Sequence, residues 1–266
     1  MLLDKRLFGS TVISFSSLSI PNTPTALLKR ELFDLELEGN CTIFSPTSDI
    51  VPSVYEGGLK VWECTRDLLA FLAGQNFSGK RILDLGCGSG LLGIFCLVSS
   101  GSDGCFVDFH DYNQQVLEHF TIPNALMNLS CGSVLALDAD AVNREFEIDQ
   151  SRIMNTLQNT NFYFGDWTDF TPVSPLYDVI LSCETIYSPC SYEKIARVLQ
   201  KYLEPTQGVA YLAAKKYYFG CGGSGRVFGE FLGEFGGFEV KLLLSVPASV
   251  PREIWEIRKT QKVEAC

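Results

Sequence analysis

A hydrophobic strand pattern ending in an acid runs into three glycines at alternate positions, Ile82-Leu83-Asp84-Leu85-Gly86-Cys87-Gly88-Ser89-Gly90, and Leu91-Leu92-Gly93-Ile94 then opens a helix pattern. Glycine lets a backbone approach a ligand closely, and a strand, a glycine turn and a helix in succession form the place where open parallel sheets hold nucleotides. The spacing differs from GxGxxG, in which a pyrophosphate rests on the helix N-terminus, and no GxxxxGK[ST] occurs to cradle a triphosphate. The loop is read as packing against the amino-acid half of a nucleoside-bearing ligand; the alternative is a glycine turn with no ligand.

Such a ligand needs an acceptor for its ribose hydroxyls near the end of the next strand, because a carboxylate can accept two hydrogen bonds from a cis-diol. Asp111 stands there, after Gly104-Cys105-Phe106-Val107-Asp108-Phe109-His110, with Asp108 as its rival inside the strand pattern. Gly165-Asp166-Trp167 follows the third strand. Asp166 could accept a proton of an exocyclic amine and Trp167 could wall a flat heteroaromatic ring, or the two could be a helix cap and a half-buried indole. The fourth strand ends in Ser182-Cys183-Glu184-Thr185-Ile186-Tyr187, where Glu184 could orient or deprotonate an acceptor and Tyr187 could line its channel. Glu184 could equally cap the following helix. After the fifth strand, Lys215-Lys216-Tyr217-Tyr218-Phe219-Gly220-Cys221-Gly222-Gly223-Ser224-Gly225 reads either as a loop that closes over a substrate or as an ordinary mobile connection.

These groups meet only if the surrounding elements place them at one edge of a sheet. Strand patterns fall at Arg81–Leu85, Cys105–Phe109, Asn161–Phe164, Tyr177–Ser182, Val209–Ala214, Phe238–Ser245 and Glu253–Lys259. Helical patterns intervene at Leu91–Ser99, Asn113–Phe120 and Tyr192–Tyr202, and an amphipathic one precedes them at Lys60–Ala73. Right-handed crossovers between such units predict an α/β, Rossmann-like, doubly wound seven-stranded sheet, mostly parallel, closed by an antiparallel edge hairpin. Residues 1–53 read as a lead-in segment to one domain over 54–266, and the acidic stretch from Ser130 to Thr160 as a surface insertion.

Composition narrows the function classes. The formal charge of −10 and a pI near 4.7 argue against binding nucleic-acid backbone and suit a basic protein partner. Ten cysteines without paired spacing read as reduced thiols. No CxxC occurs and the only histidines are His110 and His119, so no metal site is expected. The apolar runs fall far short of the roughly 20 residues of a membrane span. Lys5, Arg6 and several serines near the start weakly suggest organelle targeting, which Asp4 opposes. No GxSxG elbow supports a hydrolase triad.

At Gly58-Leu59-Lys60-Val61-Trp62-Glu63-Cys64-Thr65 the sequence becomes more specific: it resembles the histidine protein methyltransferases. The resemblance continues through the glycine loop, Asp111-Tyr112-Asn113, Pro123-Asn124, Glu184-Thr185-Ile186-Tyr187 and Tyr218-Phe219-Gly220, and covers about Val51 to the carboxyl terminus outside the acidic stretch. It implies S-adenosylmethionine as cofactor and a histidine of a large-subunit ribosomal protein as acceptor, with a cytoplasmic and nuclear monomer as the enzyme. By position it carries the cofactor onto Leu59, Lys60, Val61, Trp62, Glu63, Asp84, Gly86, Asp111, Gly165, Asp166, Trp167 and Ser182, with Gly88, Tyr112 and Asn113 beside them; Glu184 and Tyr187 serve the acceptor. The chain departs from the family pattern at Ser188, where Asn is usual, and at Ser224, which interrupts the glycine run. Both departures lie on the substrate side. A lysine or small-molecule acceptor, or a non-catalytic partner protein of the same fold, are the rival readings.

Overall fold

The computed structural model describes residues 1–4, 11–21, 23, 25–30, 50, 54–130, 144–148, 150–174 and 176–261. Strand β3 (Arg81–Leu85) is buried from Ile82 onward, the signature of a parallel strand covered on both faces. Around it, β4 (Phe106–Asp111), β6 (Thr160–Phe164), β7 (Val179–Cys183) and β8 (Val209–Lys215) run parallel, and β9 (Phe238–Val246) and β10 (Arg252–Lys259) close the sheet antiparallel. The order is β6-β4-β3-β7-β8-β10-β9. The expected seven-stranded, doubly wound architecture with an antiparallel edge is present. β4 extends two residues beyond its expected end, so Asp111 is the last residue of the strand.

Helices cover both faces. On one lie α1 (Glu63–Leu72), α2 (Leu91–Ser99) and α3 (Ile122–Ser130); on the other lie α5 (Tyr192–Tyr202) and α6 (Gly225–Phe235). α5 buries Tyr192, Ile195, Ala196, Val198, Leu199 and Tyr202, the stripe expected of an amphipathic surface helix. α2 instead is buried through its first six residues and lies so close to β4 that a Cβ on Gly93 would stand 2.5 Å from the Phe109 ring.

The helix expected over Asn113–Phe120 begins at Gln114 and passes through a π-turn at Leu117–Thr121 into α3. A π-turn shifts the register of the side chains that follow it. Here it lies beside Thr121 and Asn124, which reach the glycine loop.

A second sheet, in the order β2-β1-β5, joins β1 (Thr11–Ser19) and β2 (Ala26–Arg30) to β5 (Arg144–Ile148), all antiparallel. The lead-in segment and the acidic stretch thus meet in one structure. Phe15, Leu18, Leu27 and Leu28, together with Ile153 of α4 (Gln150–Thr156) and Leu157 just after it, share the core that α2 and α3 bury. No packing boundary separates the described part of residues 1–53 from the main sheet, and residues 131–143 of the acidic stretch lie outside the described residues.

Candidate active site

The glycine loop leaves β3 with Gly86, Gly88 and Gly90 at φ of +68°, +50° and +71°, conformations open chiefly to glycine. Its carbonyls are held from the π-turn side. Thr121 Oγ1 donates to the Gly88 carbonyl at 2.6 Å, and Asn124 Nδ2 donates to the Ser89 carbonyl at 2.8 Å. Asp111 accepts the Gly88 N–H at 2.9 Å through one oxygen and the Asn113 N–H at 3.0 Å through the other. The loop is therefore fixed in shape by neighbours from two other elements.

In front of it lies a cleft of about 340 Å³, within the range of small-molecule sites. Lys60, Trp62, Asp84, Gly86, Gly88, Asp111, Tyr112, Asp166, Trp167, Glu184 and Tyr187 all line it, so the structure gathers these expected residues in one place. Six others do not line the cleft and support its wall. Leu59 is buried and donates its N–H to Tyr55 Oη at 2.9 Å; Val61 packs against the core; Glu63 pairs with Lys215 at 3.1 Å. Asn113 ties down the strap before α1, donating to the Val54 carbonyl at 2.7 Å. Gly165, at φ +113°, donates to the carbonyls of Asp111 and Tyr112 at 3.2 Å each. Ser182 donates to the Leu85 carbonyl at 3.3 Å and sits 2.6 Å from Thr185 Oγ1, bracing β3 and β7 behind the cleft.

The two acids of β4 differ in their contacts. Asp108 accepts Asn161 Nδ2 at 2.8 Å and Tyr177 Oη at 2.6 Å, away from the cleft that Asp111 lines. Asp111 is nevertheless buried: burial pushes its carboxyl up to about 6, against the lowering effect of the Asn113 and Gly88 N–H groups. Burial likewise pushes Asp84 up to about 7; one of its oxygens takes the Gly93 N–H at 3.0 Å and the other has no hydrogen-bond partner among the described residues. Asp166 is partly buried, which raises its pKa, but Lys194 at 2.5 Å and Thr168 bring it below the usual carboxylate value. The thiols of Cys87 and Cys183, also at the cleft, are driven far upward by burial and stay protonated.

Whether S-adenosylmethionine fits can be judged from the lining itself. A Cβ on Gly86 would lie 2.6 Å from Thr185 Cγ2 and 3.5 Å from the Trp167 ring, so glycine keeps open a slot between them. Three buried polar atoms of lining residues lack a hydrogen-bond partner among the described residues: Asp84 Oδ1, Trp167 Nε1 and Glu184 Oε1. Buried polar groups ordinarily find partners, so these are places for ligand atoms. Acidic acceptors, an indole wall and a glycine-lined slot suit a ligand that carries an adenosine and an ammonium-bearing tail.

Glu184 marks the far end. It is the only non-glycine residue with positive φ among those described, at 59°, a conformation costing about 1–3 kcal/mol that clusters at functional sites. Its N–H donates to the Ala213 carbonyl at 2.9 Å, and Oε2 accepts Tyr218 Oη at 2.6 Å. Beyond it opens a second cavity of about 250 Å³ lined by Tyr217, Tyr218, Phe219 and Val250; Glu56, Trp62, Glu184 and Tyr187 line both spaces. Tyr187 Oη donates to Glu56 Oε2. The Trp62 ring lies 4.8 Å from Lys60 Nζ and 5.2 Å from Lys215 Nζ.

The two departures from the family pattern have local explanations. Ser188 Oγ accepts the Cys190 N–H at 3.4 Å, capping a 3₁₀ turn, and Ser224 Oγ accepts the Val227 N–H at 3.1 Å, capping α6. The glycine before Ser224 is obligatory: a Cβ on Gly223 would stand 2.0 Å from the Ile186 carbonyl.

A family profile described as a methyltransferase domain matches residues 61–218. A histidine protein methyltransferase 1 homolog from Bos taurus is 37% identical over 225 residues, 80% of this chain and 58% of that protein. Its namesake from Dictyostelium discoideum is 34% identical over 79% of this chain and 60% of that protein, so the chain spans about three-fifths of the length of these relatives. Among solved structures, an arsenic (III) S-adenosylmethionine methyltransferase from Chlamydomonas reinhardtii shares the fold, with a TM-score of 0.50 and 16% identity over 71% of this chain and 66% of that one.

Proposed function

The chain belongs to the methyltransferase-domain family, and from that premise we propose that it moves a methyl group from S-adenosylmethionine to a histidine side chain of a basic protein, a large-subunit ribosomal protein above all. The names of the relatives support the acceptor, and the formal charge of −10 suits a basic substrate. The observation that carries the reading is Glu184 Oε1, a buried acceptor without a hydrogen-bond partner among the described residues, at the junction of the glycine-loop cleft and an aromatic cavity.

When bound, S-adenosylmethionine supplies an electrophilic methyl that passes to a nitrogen lone pair as its bond to sulfur breaks. The residues of the chain do the rest. In this reading Asp111 takes the ribose, Asp166 and Trp167 the adenine, and Asp84 and the glycine loop the amino-acid half. Tyr187, Tyr217, Tyr218 and Trp62 offer flat walls to an imidazole. Neutral imidazole is already nucleophilic near neutral pH, so the task is to select one tautomer and aim it. Glu184 Oε1 does this by accepting the N–H of the ring nitrogen that does not react, and it balances the positive charge that develops on the ring. A monomer acting in cytoplasm and nucleus completes the proposal; among the described residues no helix is long and apolar enough to cross a membrane.

The test is incubation of the protein with labelled S-adenosylmethionine and basic ribosomal proteins, followed by amino-acid analysis of the labelled product. Label in methylhistidine is the expected result. Label in methyllysine moves the acceptor class, and cofactor affinity without transfer to any protein overturns the enzymatic reading.

A further inference from the structure

Tyr218 stands in the loop after β8, outside the cofactor cleft, and its hydroxyl makes two hydrogen bonds at the acceptor end of the site. Its hydroxyl donates to Glu184 Oε2 at 2.6 Å and accepts the Lys215 N–H at 3.1 Å. Burial first, then the adjacent Glu184 carboxylate, push the phenol far above its ordinary pKa, so it remains a donor. The Glu184 backbone is held as well, by the Ala213 carbonyl. One carboxylate oxygen is thereby occupied; the other, Oε1, is buried and makes no hydrogen bond among the described residues, with the protonated Cys64 thiol close enough to interact with the carboxylate.

We propose that Tyr218 is a positioning residue that decides which ring nitrogen of the acceptor is methylated, by holding Glu184 Oε2 so that only Oε1 can take the imidazole N–H. The proposal rests on the histidine-methyltransferase reading and deepens it. With Oε2 held, the carboxylate cannot rotate to meet a flipped ring, and the imidazole is locked in one tautomer and one face. The Tyr187 ring, 6.5 Å from that of Tyr218 at 69°, closes the side of the same cavity. Tyr218 lines the acceptor cavity and not the cofactor cleft, and its hydroxyl acts on the site through Glu184.

Tyr218→Phe keeps the ring and removes the donor. The variant is expected to keep cofactor affinity, to lose about tenfold in kcat/KM for the protein substrate, the lower end for a hydrogen bond to a charged group, and to yield both methylhistidine isomers where the parent yields one. In a double-mutant cycle with Glu184→Gln, the Tyr218→Phe loss should largely vanish, because a residue acting through Glu184 has nothing left to position. A single isomer from Tyr218→Phe, an unchanged rate, or losses that add independently in the cycle would overturn the positioning role. Should the parent protein itself methylate no histidine, the failure belongs to the proposed function, and the cycle then shows no activity in any arm. Thermal unfolding of Tyr218→Phe within a few degrees of the parent separates mispositioning from misfolding.

Discussion

At the glycine-loop end of the cleft, side chains are engaged with the protein's own backbone: Asp111 with Gly88 and Asn113, Asn124 with Ser89, Thr121 with Gly88, Asp84 with Gly93. At the Glu184 end, the acid sits at positive φ, its side chain is tied to another side chain, and one oxygen has no hydrogen-bond partner among the described residues. The first arrangement preforms a shape, so its residues act on binding and on loop geometry together. The second stores backbone strain and a buried, partnerless acceptor, which is where directed chemistry is expected. Substitutions at the two ends should therefore fail in different observables.

The largest effect is expected for Glu184→Gln. It keeps the volume and removes the charge, and transfer to the protein substrate should fall by about 10²–10⁴ if the carboxylate also takes up the proton, the usual range for acid–base catalysis. Cofactor affinity by calorimetry should stay within error. Loss of cofactor affinity equal to the loss of rate would erase the distinction between the ends.

Next comes Asp111→Ala, which removes a charged acceptor for ribose hydroxyls and should weaken cofactor binding by about 1.5–3 kcal/mol. Because Asp111 also holds Gly88 and Asn113, thermal stability should fall with it, unlike at Glu184. Asp108→Ala should unsettle the sheet through Tyr177 and Asn161 while leaving the affinity of the surviving folded protein alone. Calorimetry beside thermal unfolding distinguishes the two.

A pH series sharpens the same contrast. Asp111 and Asp84 are raised to about 6 and about 7, above ordinary unfolded carboxyls near pH 4. The folded chain therefore holds more protons than the unfolded chain between about pH 4 and 7, and that contribution to stability is complete below pH 4 and lost as pH rises through 6 to 7. Cofactor binding should run the other way, since only the ionised Asp111 accepts fully from a diol. Affinity should drop about tenfold for each pH unit below 6, with the two acids titrating as a coupled pair. An affinity flat from pH 5 to 7.5 would take Asp111 out of direct contact.

Much of this was legible in the sequence because it depends on short-range pattern. The apolar run of β3, the alternate glycines and the acid at the end of β4 are contiguous signals, and α2 and α5 have their expected bounds. What was not legible depends on distant pairing. Nothing local shows that residues 144–148 pair with Thr11 to Phe15, or that a π-turn before α3 brings Asn124 to Ser89. Tyr218 read as part of a flexible glycine-rich loop, and its hydroxyl reaches Glu184 across 34 residues of sequence. Ser182 and Glu63 carry polar groups at the right positions along the chain, yet their side chains face strand and surface partners, an orientation fixed only by packing. Lys194, which pairs with Asp166 at the cleft, gave no signal because a lysine on an amphipathic helix normally faces solvent.

The smallest effect is expected for Tyr187→Phe. The hydroxyl donates to Glu56, so the ring remains to wall the acceptor cavity when it is removed. A neutral donor to a rim carboxylate at a partly exposed position contributes little to folding, and the change should appear chiefly as disorder of the strap that carries Glu56. That strap lines both the cleft and the second cavity, and its neighbour Gly58 lies so close to the loop that a Cβ on Gly88 would stand 3.0 Å from the Gly58 carbonyl. The expected result is a loss of about 0.5–1.5 kcal/mol in kcat/KM for the protein substrate, with at most a slight loss of cofactor affinity. Glu56→Gln should reproduce it, and the double variant should be no worse than either single one, since both remove the same bond. Steady-state kinetics on the three variants beside calorimetric cofactor affinity makes the comparison. A loss at Tyr187→Phe as large as that at Glu184→Gln would place the tyrosine hydroxyl on the acceptor itself, and equal losses in affinity and rate would assign the strap to the cofactor end.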